Sequence, residues 1–239
     1  MLVVGIDTSS ATLGVGLWAD GIILAEVVLR APGRSSSLLP SVLDTVLCGA
    51  GVTPGDLDGV AAASGPGSFT GLRIGCAMAA GIGRGLGIPA VGVSSLAALA
   101  ASTPIPSGLL AVPALGARRG AHFTAAYARS EPMVEPGVYW LPRERVEPAR
   151  RTPGEMASAL GSKRSASWWI GDESPDDCIL RESFGRVLGG RWIAPGAVAF
   201  LGADMLARGA PGDPRELSPR YYRATEAERR GLGVDTDGR

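Results

Sequence analysis

The chain has 239 residues, 46% of them hydrophobic, which is enough for an ordinary buried core in one large or two small domains. Its 23 basic residues equal its 23 acidic residues, so no global field draws it to nucleic acid or to a membrane surface. Its 3 cysteines are odd in number and far apart, which argues against a disulfide framework and favours a reducing cytoplasm.

The first hundred residues predict a β-β-β-α-β-α unit. The N-terminal apolar run has no basic flank, so we interpret it as a first strand and not as a signal peptide. Asp20-Gly21 is typical of a two-residue hairpin turn. Apolar runs and helical periodicity predict strands at 2–7, 14–19, 22–29, 59–63 and 90–93, and helices at 36–50, 69–86 and 94–100.

Two prolines and small polar residues across 102–107 indicate a boundary between two domains. We therefore predict a first lobe at 1–101 and a second lobe at 102–224, with the C-terminal helix packing back on the first. The charged, glycine-rich tail at 225–239 is predicted to be disordered. In the second lobe the pattern predicts strands at 109–114, 121–128, 134–140 and 167–170, and helices at 153–160 and 195–208.

The stretch SGPGSFTGLRIG, residues 64–75, joins an apolar run to a long periodic segment. Gly65 and Gly67 allow backbone angles closed to other residues, and Ser68 or Thr70 can cap the first free amides of a helix. Such amides attract anions. The stretch lacks the lysine of a GxxxxGK[ST] phosphate loop, so a structural strand-to-helix turn is favoured over a phosphate cradle.

Two further candidates for chemistry are a polar turn and a single histidine. Asp7, Thr8 and Ser9 directly follow the first strand, and a carboxylate beside hydroxyls suits a Mg²⁺-nucleotide. A turn whose side chains bond their own backbone is an equally good interpretation. His122 lacks further nitrogen or sulfur ligands at usable spacing, and no GxSxG elbow accompanies it. We expect a packed strand histidine, no metal site and no catalytic residue.

Small residues recur at a spacing of four in the predicted helix 69–86. They form two ridges, one of Gly71, Gly75 and Ala79 and one of Ala77, Gly81 and Gly85. Each glycine costs a helix about 1 kcal/mol, so close packing must offset it. Packing onto the chain's own sheet is one explanation. One sheet cannot bury both sides of a helix, so an interface between chains is favoured, and leucine at Gly75 or Gly81 should weaken it without unfolding the chain.

These segments resemble the bacterial TsaB family, also called YeaZ, relatives of the glycoprotease-like TsaD proteins. The resemblance rests on VGIDTSSATLGVGL, SSSLLPSVLDTVL, VAAASGPGSFTGLRIGCAMAAGIGRGL, IPAVGVSSLAALA and PRYYR. It covers the first hundred residues closely and the remainder loosely. It implies an α/β, two-lobed actin/hexokinase-like (ASKHA) fold with mixed five-stranded sheets and a degenerate nucleotide cleft.

The resemblance also implies a function. Members look like noncatalytic partners that form a heterodimer with TsaD and, with TsaE in a larger complex, support threonylcarbamoyl transfer to adenosine 37 of tRNAs reading codons that begin with adenine. A homodimer in isolation, only indirect contact with tRNA, no cofactor and no membrane are implied. The family's dimer helices correspond to 36–50 and 69–86. The candidate interface residues are Leu39, Leu43, Val46, Gly71, Gly75, Met78, Ala79 and Ile82. The candidate vestigial nucleotide loop comprises Asp7, Thr8, Ser9, Gly65, Gly67 and Ser68.

This sequence departs from its relatives in places. The paired-histidine metal motif of the catalytic relatives is absent, Arg34-Ser35-Ser36 stands where His-Ser-Glu is frequent, and Gly116-Ala117-Arg118 stands where Asp-Ala-Arg is frequent. The alternative function is an ATP-dependent phosphotransferase of the same superfamily, indicated by the Asp7 turn and the glycine turn. A peptidase is indicated only by the glycoprotease name of the relatives.

Overall fold

A computed structural model describes residues 1–117, 120–129, 139–171 and 178–222. The first half of the chain forms a five-stranded mixed sheet of order β3-β2-β1-β4-β5. Its elements are β1 (Leu2–Asp7), β2 (Thr12–Ala19), β3 (Ile22–Arg30), α1 (Ser35–Gly49), β4 (Gly59–Gly65), α2 (Phe69–Leu86), β5 (Ala90–Ser94) and α3 (Ser95–Ala101), with a 3-10 turn at Pro54–Asp56. β1 pairs antiparallel with β2 and parallel with β4. The predicted β-β-β-α-β-α unit is confirmed.

The second half repeats this order of elements. It comprises β6 (Leu110–Gly116), β7 (His122–Arg129), β8 (Pro142–Arg151), α4 (Pro153–Leu160), a 3-10 turn (Gly161–Ala166), β9 (Ser167–Ile170), α5 (Cys178–Ser183), β10 (Arg186–Leu188) and α6 (Pro195–Ala207). The second five-stranded sheet has the order β10-β9-β6-β7-β8, so β6 takes the central place that β1 has in the first. The predicted α/β class with two related, mixed five-stranded sheets is confirmed.

One predicted strand of the second half, at 134–140, falls largely on residues that the structure does not describe. Residues 130–138 lie outside the described residues, and Tyr139 and Trp140 are not in a strand. The third strand of the sheet is β8, whose sequence PRERVEPARR has almost no apolar residues. β8 pairs only with β7 at the edge of its sheet, so it needs no continuous apolar run. α5 and β10 were not predicted because both are short.

Helices α3 and α6 lie in a core that both sheets share. Buried Leu99 of α3 and Val198 of α6 belong to the same hydrophobic cluster as Ala61 of the first sheet and Ala111 of the second. α6 packs on β1 and β2 because these strands carry glycines there: a Cβ on Gly16 would lie 2.6 Å from the amide nitrogen of Gly196.

The division into lobes at 1–101 and 102–224 stays a prediction, and the tail at 225–239 lies outside the described residues. None of the helices in the described part of the chain has both the length and the apolar character that a membrane crossing requires.

Candidate phosphate loop and partner surface

The turn after β1 uses its polar side chains on its own structure. Asp7, Thr8 and Ser9 are all buried. The amide of Ser9 donates to Oδ1 of Asp7 over 3.0 Å, and the hydroxyl of Ser9 donates to the same oxygen over 2.6 Å. Thr8 Oγ1 donates to the carbonyl oxygen of Gly71 over 2.7 Å. The turn is therefore a self-bonded Asx turn that also holds the first turn of α2.

Burial changes the ionisation of the Asp7 carboxyl in this turn. It raises the pKa of the Asp7 carboxyl to about 6, and the two hydrogen bonds from Ser9 act in the opposite direction. Oδ2 of Asp7 is buried and has no hydrogen-bond partner in the described part of the chain. A carboxylate that binds a hydrated Mg²⁺ needs an accessible oxygen, so this closed turn does not present Asp7 as such a ligand.

The turn between β4 and α2 is closed in the same way. Ser68 is the N-cap of α2, and its hydroxyl accepts from the amide of Gly71 over 3.3 Å. The amide of Ser68 itself donates to the carbonyl oxygen of Ser9 over 2.6 Å. A phosphate cradle needs such amides free, and these two are already paired. Of the residues in the predicted loop, Gly65 is buried, Gly67 is half-buried and Ser68 is exposed.

A C-terminal segment that the sequence analysis did not connect to this loop lies directly against it. The amide of Arg220 donates to the carbonyl oxygen of Ser64 over 2.6 Å. Gly65 has φ +131°, and a Cβ there would overlap the carbonyl oxygen of Arg220. No side-chain pattern indicates this contact, because it joins the backbones of two segments that are about 150 residues apart.

The structure corrects the set of predicted interface residues. Leu39 and Val46 of α1 are in the core under the first sheet, together with Ala79 of α2. Gly71 and Gly75 are also buried, because α2 packs on the turn after β1. A Cβ on Gly71 would overlap the carbonyl oxygen of Thr8, and a Cβ on Gly75 would lie 2.5 Å from Thr8 Oγ1. These residues belong to the interior of the chain and not to a free surface.

The second ridge of α2 remains on the outside. Ala77, Gly81 and Gly85 are exposed, and a Cβ on Gly81 or Gly85 would have nothing within 4 Å. The other predicted interface residues, Leu43, Met78 and Ile82, are half-buried at the edges of the same helices. The outward face of the α1/α2 pair, which we call the helix-pair face, is defined by Leu43, Ala77, Met78, Gly81, Ile82 and Gly85.

His122 lies within the second sheet, opposite Gly116 of β6 and Arg151 of β8. Its ring meets the ring of buried Trp169 edge to face, with the centroids 5.2 Å apart. Within the described ranges, no group of three or more histidine, cysteine, aspartate or glutamate side chains is arranged to hold a metal ion.

Comparison with known proteins places these features in a family. A family profile described as TsaD, tRNA N6-adenosine threonylcarbamoyltransferase, matches residues 30–135. The tRNA threonylcarbamoyladenosine biosynthesis protein TsaB of Bacillus subtilis (strain 168) is 30% identical over 237 residues, which cover 95% of this chain and 96% of that protein. The TsaB protein of Escherichia coli (strain K12) is 36% identical over 132 residues, 55% of this chain and 57% of that protein.

A solved structure has the same fold. It is described as an uncharacterized protein with similarity to peptidase YEAZ from Pseudomonas aeruginosa. It superposes with a TM-score of 0.73 at 21% identity and covers 93% of this chain and 99% of that chain. This likeness and the repeated β-β-β-α-β-α topology agree with the two-lobed actin/hexokinase-like fold. Because the similarity to the Bacillus protein extends over nearly the whole of both sequences, the chain belongs to the TsaB family.

Proposed function

We propose that this chain is a noncatalytic subunit of tRNA threonylcarbamoyladenosine biosynthesis. It pairs with a TsaD protein and, together with TsaE, supports transfer of the threonylcarbamoyl group to adenosine 37 of tRNAs reading codons that begin with adenine. The observation that carries the proposal is the similarity to a TsaB protein over 95% of the chain. The match of residues 30–135 to the TsaD profile supports kinship with the transferase itself.

The hydrogen bonding of the turn after β1 and of the turn between β4 and α2 supports the noncatalytic part of the proposal. In a phosphotransferase of this superfamily, the turn after β1 and the turn before α2 would face the phosphates of the nucleotide. Here the Asp7 carboxyl bonds to Ser9, the Ser68 amide bonds to Ser9, and Arg220 covers Gly65. These groups stabilise the chain's own fold, which favours a subunit that acts through its surface over the phosphotransferase alternative.

The helix-pair face is the surface we assign to the partner. Its centre has no side chains beyond Cβ at Ala77, Gly81 and Gly85, so another helix can approach the backbone of α2 closely. Half-buried Met78 and Ile82 border this strip and supply apolar area. One face serves both the heterodimer with TsaD and the homodimer in isolation, and the two assemblies exclude each other.

The function is tested by reconstituting tRNA threonylcarbamoylation from TsaD, TsaE, the threonylcarbamoyl-adenylate synthase and tRNA, with this chain present or omitted. We expect product only when the chain is present, and no product from the chain alone. Modification that proceeds equally well without the chain would refute the assigned role. Transfer activity of the chain without TsaD would refute its being noncatalytic.

The partner is tested separately by light scattering on mixtures of this chain with TsaD at micromolar concentrations. A complex of one chain with one TsaD is expected, with the homodimer disappearing as TsaD is added. Two species that elute independently would contradict the pairing, whatever the modification assay shows.

A further inference from the structure

The exposed ridge of α2 continues toward the N-terminus of the helix with larger side chains. Phe69 and Arg73 precede Ala77 at the same spacing of four residues, so they extend the row of Ala77, Gly81 and Gly85 along one side of α2. Both side chains are exposed. The strip of small residues on the helix-pair face therefore ends in an aromatic ring and a cation.

Tyr221 joins these two residues in a cluster with a defined geometry. Its ring stacks on the ring of Phe69, with the centroids 5.0 Å apart. The guanidinium of Arg73 lies 4.0 Å from the centroid of the Phe69 ring, and its Nε donates to the hydroxyl of Tyr221 over 2.9 Å. An aromatic face attracts a cation, so the two contacts together orient the guanidinium before any partner binds.

The charge of Arg73 is not neutralised within the chain. In the described ranges, no carboxylate forms a salt bridge with Arg73, and its two Nη atoms make no hydrogen bond. The other cation of α2, Arg84, acts on Asp213, whose pKa is lowered to about 2 mainly by its hydrogen bonds with Arg215 and also by the charge of Arg84. Arg73 can therefore still bind a carboxylate from another molecule through two parallel hydrogen bonds.

A second copy of this chain matches the charge of Arg73 poorly. Helices α1 and α2 carry Arg73 and Arg84 but a single carboxylate, that of Asp44. In a symmetric dimer each copy presents the same surface to the other, so cations outnumber anions on both sides. Like charges across an interface oppose association, and a partner with an acidic residue at this position is favoured.

We propose that Phe69, Arg73 and Tyr221 select the partner of the helix-pair face. Arg73 binds a carboxylate that the TsaD partner presents beside the apolar helix contact, which favours the heterodimer over the homodimer. The inference rests on the proposed pairing with TsaD and adds the residue that decides between the two assemblies. Tyr221 is a positioning residue, since its hydroxyl and its ring hold Arg73 and Phe69 in place.

A protein partner fits this cluster better than RNA does. Tyrosine and arginine are the residue types that often dominate binding at protein interfaces. The ring of Phe69 is already in contact with Tyr221 and with the guanidinium, so a nucleobase could stack on it only by competing with them. Between Arg73 and Arg84, α2 has no cation that could follow a phosphate backbone.

The test uses the full chain with Arg73→Ala, Arg73→Lys and Tyr221→Phe. Arg73 and Tyr221 are exposed, so none of these changes removes core packing. The matched control is Arg145→Ala, which removes the same charge from an exposed position on β8 of the second sheet. Titration calorimetry at low and at high salt measures the Kd for TsaD, analytical ultracentrifugation measures the Kd of the homodimer, and fluorescence anisotropy measures binding of tRNA.

We expect Arg73→Ala to weaken the complex with TsaD at least about tenfold at low salt and much less at high salt, and to leave the homodimer as strong as before or stronger. Arg73→Lys keeps the charge without the planar fork, and Tyr221→Phe keeps the ring without the hydroxyl. Each should weaken the complex with TsaD about threefold. Arg145→Ala should bind TsaD as the wild type does.

A wild-type complex that Arg73→Ala leaves unchanged would overturn this inference alone, whereas the absence of any wild-type complex would overturn the pairing with TsaD as well. A homodimer that weakens as much as the heterodimer, as a contact of Arg73 with Asp44 of the second copy would produce, would overturn the selection. An equal loss in Arg145→Ala would assign the effect to net charge and not to the cluster. Loss of tRNA binding with TsaD binding unchanged would assign the cluster to RNA and overturn the proposal.

Discussion

Thr8 Oγ1 donates a 2.7 Å hydrogen bond to the carbonyl oxygen of Gly71, which ties the turn after β1 to the first turn of α2. This bond places the ridge of Gly71 and Gly75 against the turn, where a side chain has no room. With α2 in this orientation about its axis, Ala77, Gly81 and Gly85 face outward. The ridge of Gly71 and Gly75 is thus buried against the turn after β1, and the ridge of Ala77, Gly81 and Gly85 is exposed.

Replacing a glycine of each ridge by alanine should change the free energy of unfolding in opposite directions. Gly81→Ala should raise the free energy of unfolding by about 0.5–1 kcal/mol, because alanine favours the helix and its Cβ meets open space. Gly75→Ala should lower it by about 1–3 kcal/mol, because its Cβ would lie 2.5 Å from Thr8 Oγ1. Urea unfolding followed by circular dichroism measures both. Effects of the same sign would contradict the orientation of α2.

Leucine at position 81 tests the helix-pair face. Gly81→Leu should weaken the proposed complex with TsaD by at least about tenfold while the fold is retained, because the side chain obstructs close helix contact. Titration calorimetry measures the Kd. The matched control is Gly154→Leu on α4, where a glycine in a helix likewise has open space around it. A Gly81→Leu variant that binds TsaD as the wild type does would exclude this face. Our sequence expectation that Gly75→Leu would also leave the fold intact is withdrawn, since Gly75 is buried.

Asp7 gives the stability of the protein a defined pH dependence. Its pKa is raised from 3.8 to about 6. The stability due to the protonated carboxyl is therefore fully present below pH 3.8 and is lost as the pH rises through about 6. Asp7→Asn cannot ionise, so its unfolding free energy relative to wild type should improve by about 2–3 kcal/mol between pH 4 and pH 8.

Urea unfolding at a series of pH values measures this difference for Asp7→Asn. Any cost of burying the amide nitrogen is the same at each pH and cancels in the comparison. The control is Asp44→Asn on the exposed face of α1, which makes the same change of side chain outside the turn. A pH-independent effect of Asp7→Asn would mean that the carboxyl is not held as described.

Glu26 should stabilise the start of α6. Its Oε1 accepts from the amide of Gly196 over 2.7 Å and from the hydroxyl of Tyr139 over 3.2 Å. α6 has no side-chain cap of its own, so this carboxylate takes that role at the positive end of the helix. Glu26→Ala should cost about 2 kcal/mol and Glu26→Gln less than about 1 kcal/mol, because glutamine keeps an acceptor.

Urea unfolding of both Glu26 variants and of Tyr139→Phe checks this assignment. Tyr139→Phe removes only the longer bond and should cost less than Glu26→Ala. Equal losses in Glu26→Ala and Glu26→Gln would show that charge, and not acceptor capacity, stabilises the helix.

The sequence by itself determined features that depend on neighbouring residues. The bounds of α2 at Phe69–Leu86 and of α4 at Pro153–Leu160 were predicted correctly. The ends of these helices are set by neighbouring residues: the N-cap Ser68 and the left-handed C-cap Gly87 of α2, and the capping box of Thr152 with Glu155 in α4. The fold class also followed from the sequence, because the resemblance and the repeated strand pattern agreed.

Only the tertiary structure decided which small-residue ridge is buried, where β8 lies, and what covers the turn between β4 and α2. Spacing shows that Gly75 and Gly81 lie on different sides of a helix, but the side that faces inward depends on Thr8, which is remote in sequence. β8 is an edge strand that pairs only with β7, so it does not need the apolar run by which a strand is recognised in a sequence. The contact of Arg220 with Ser64 is a backbone hydrogen bond, and backbone groups are the same in every residue, so no side-chain pattern could predict it.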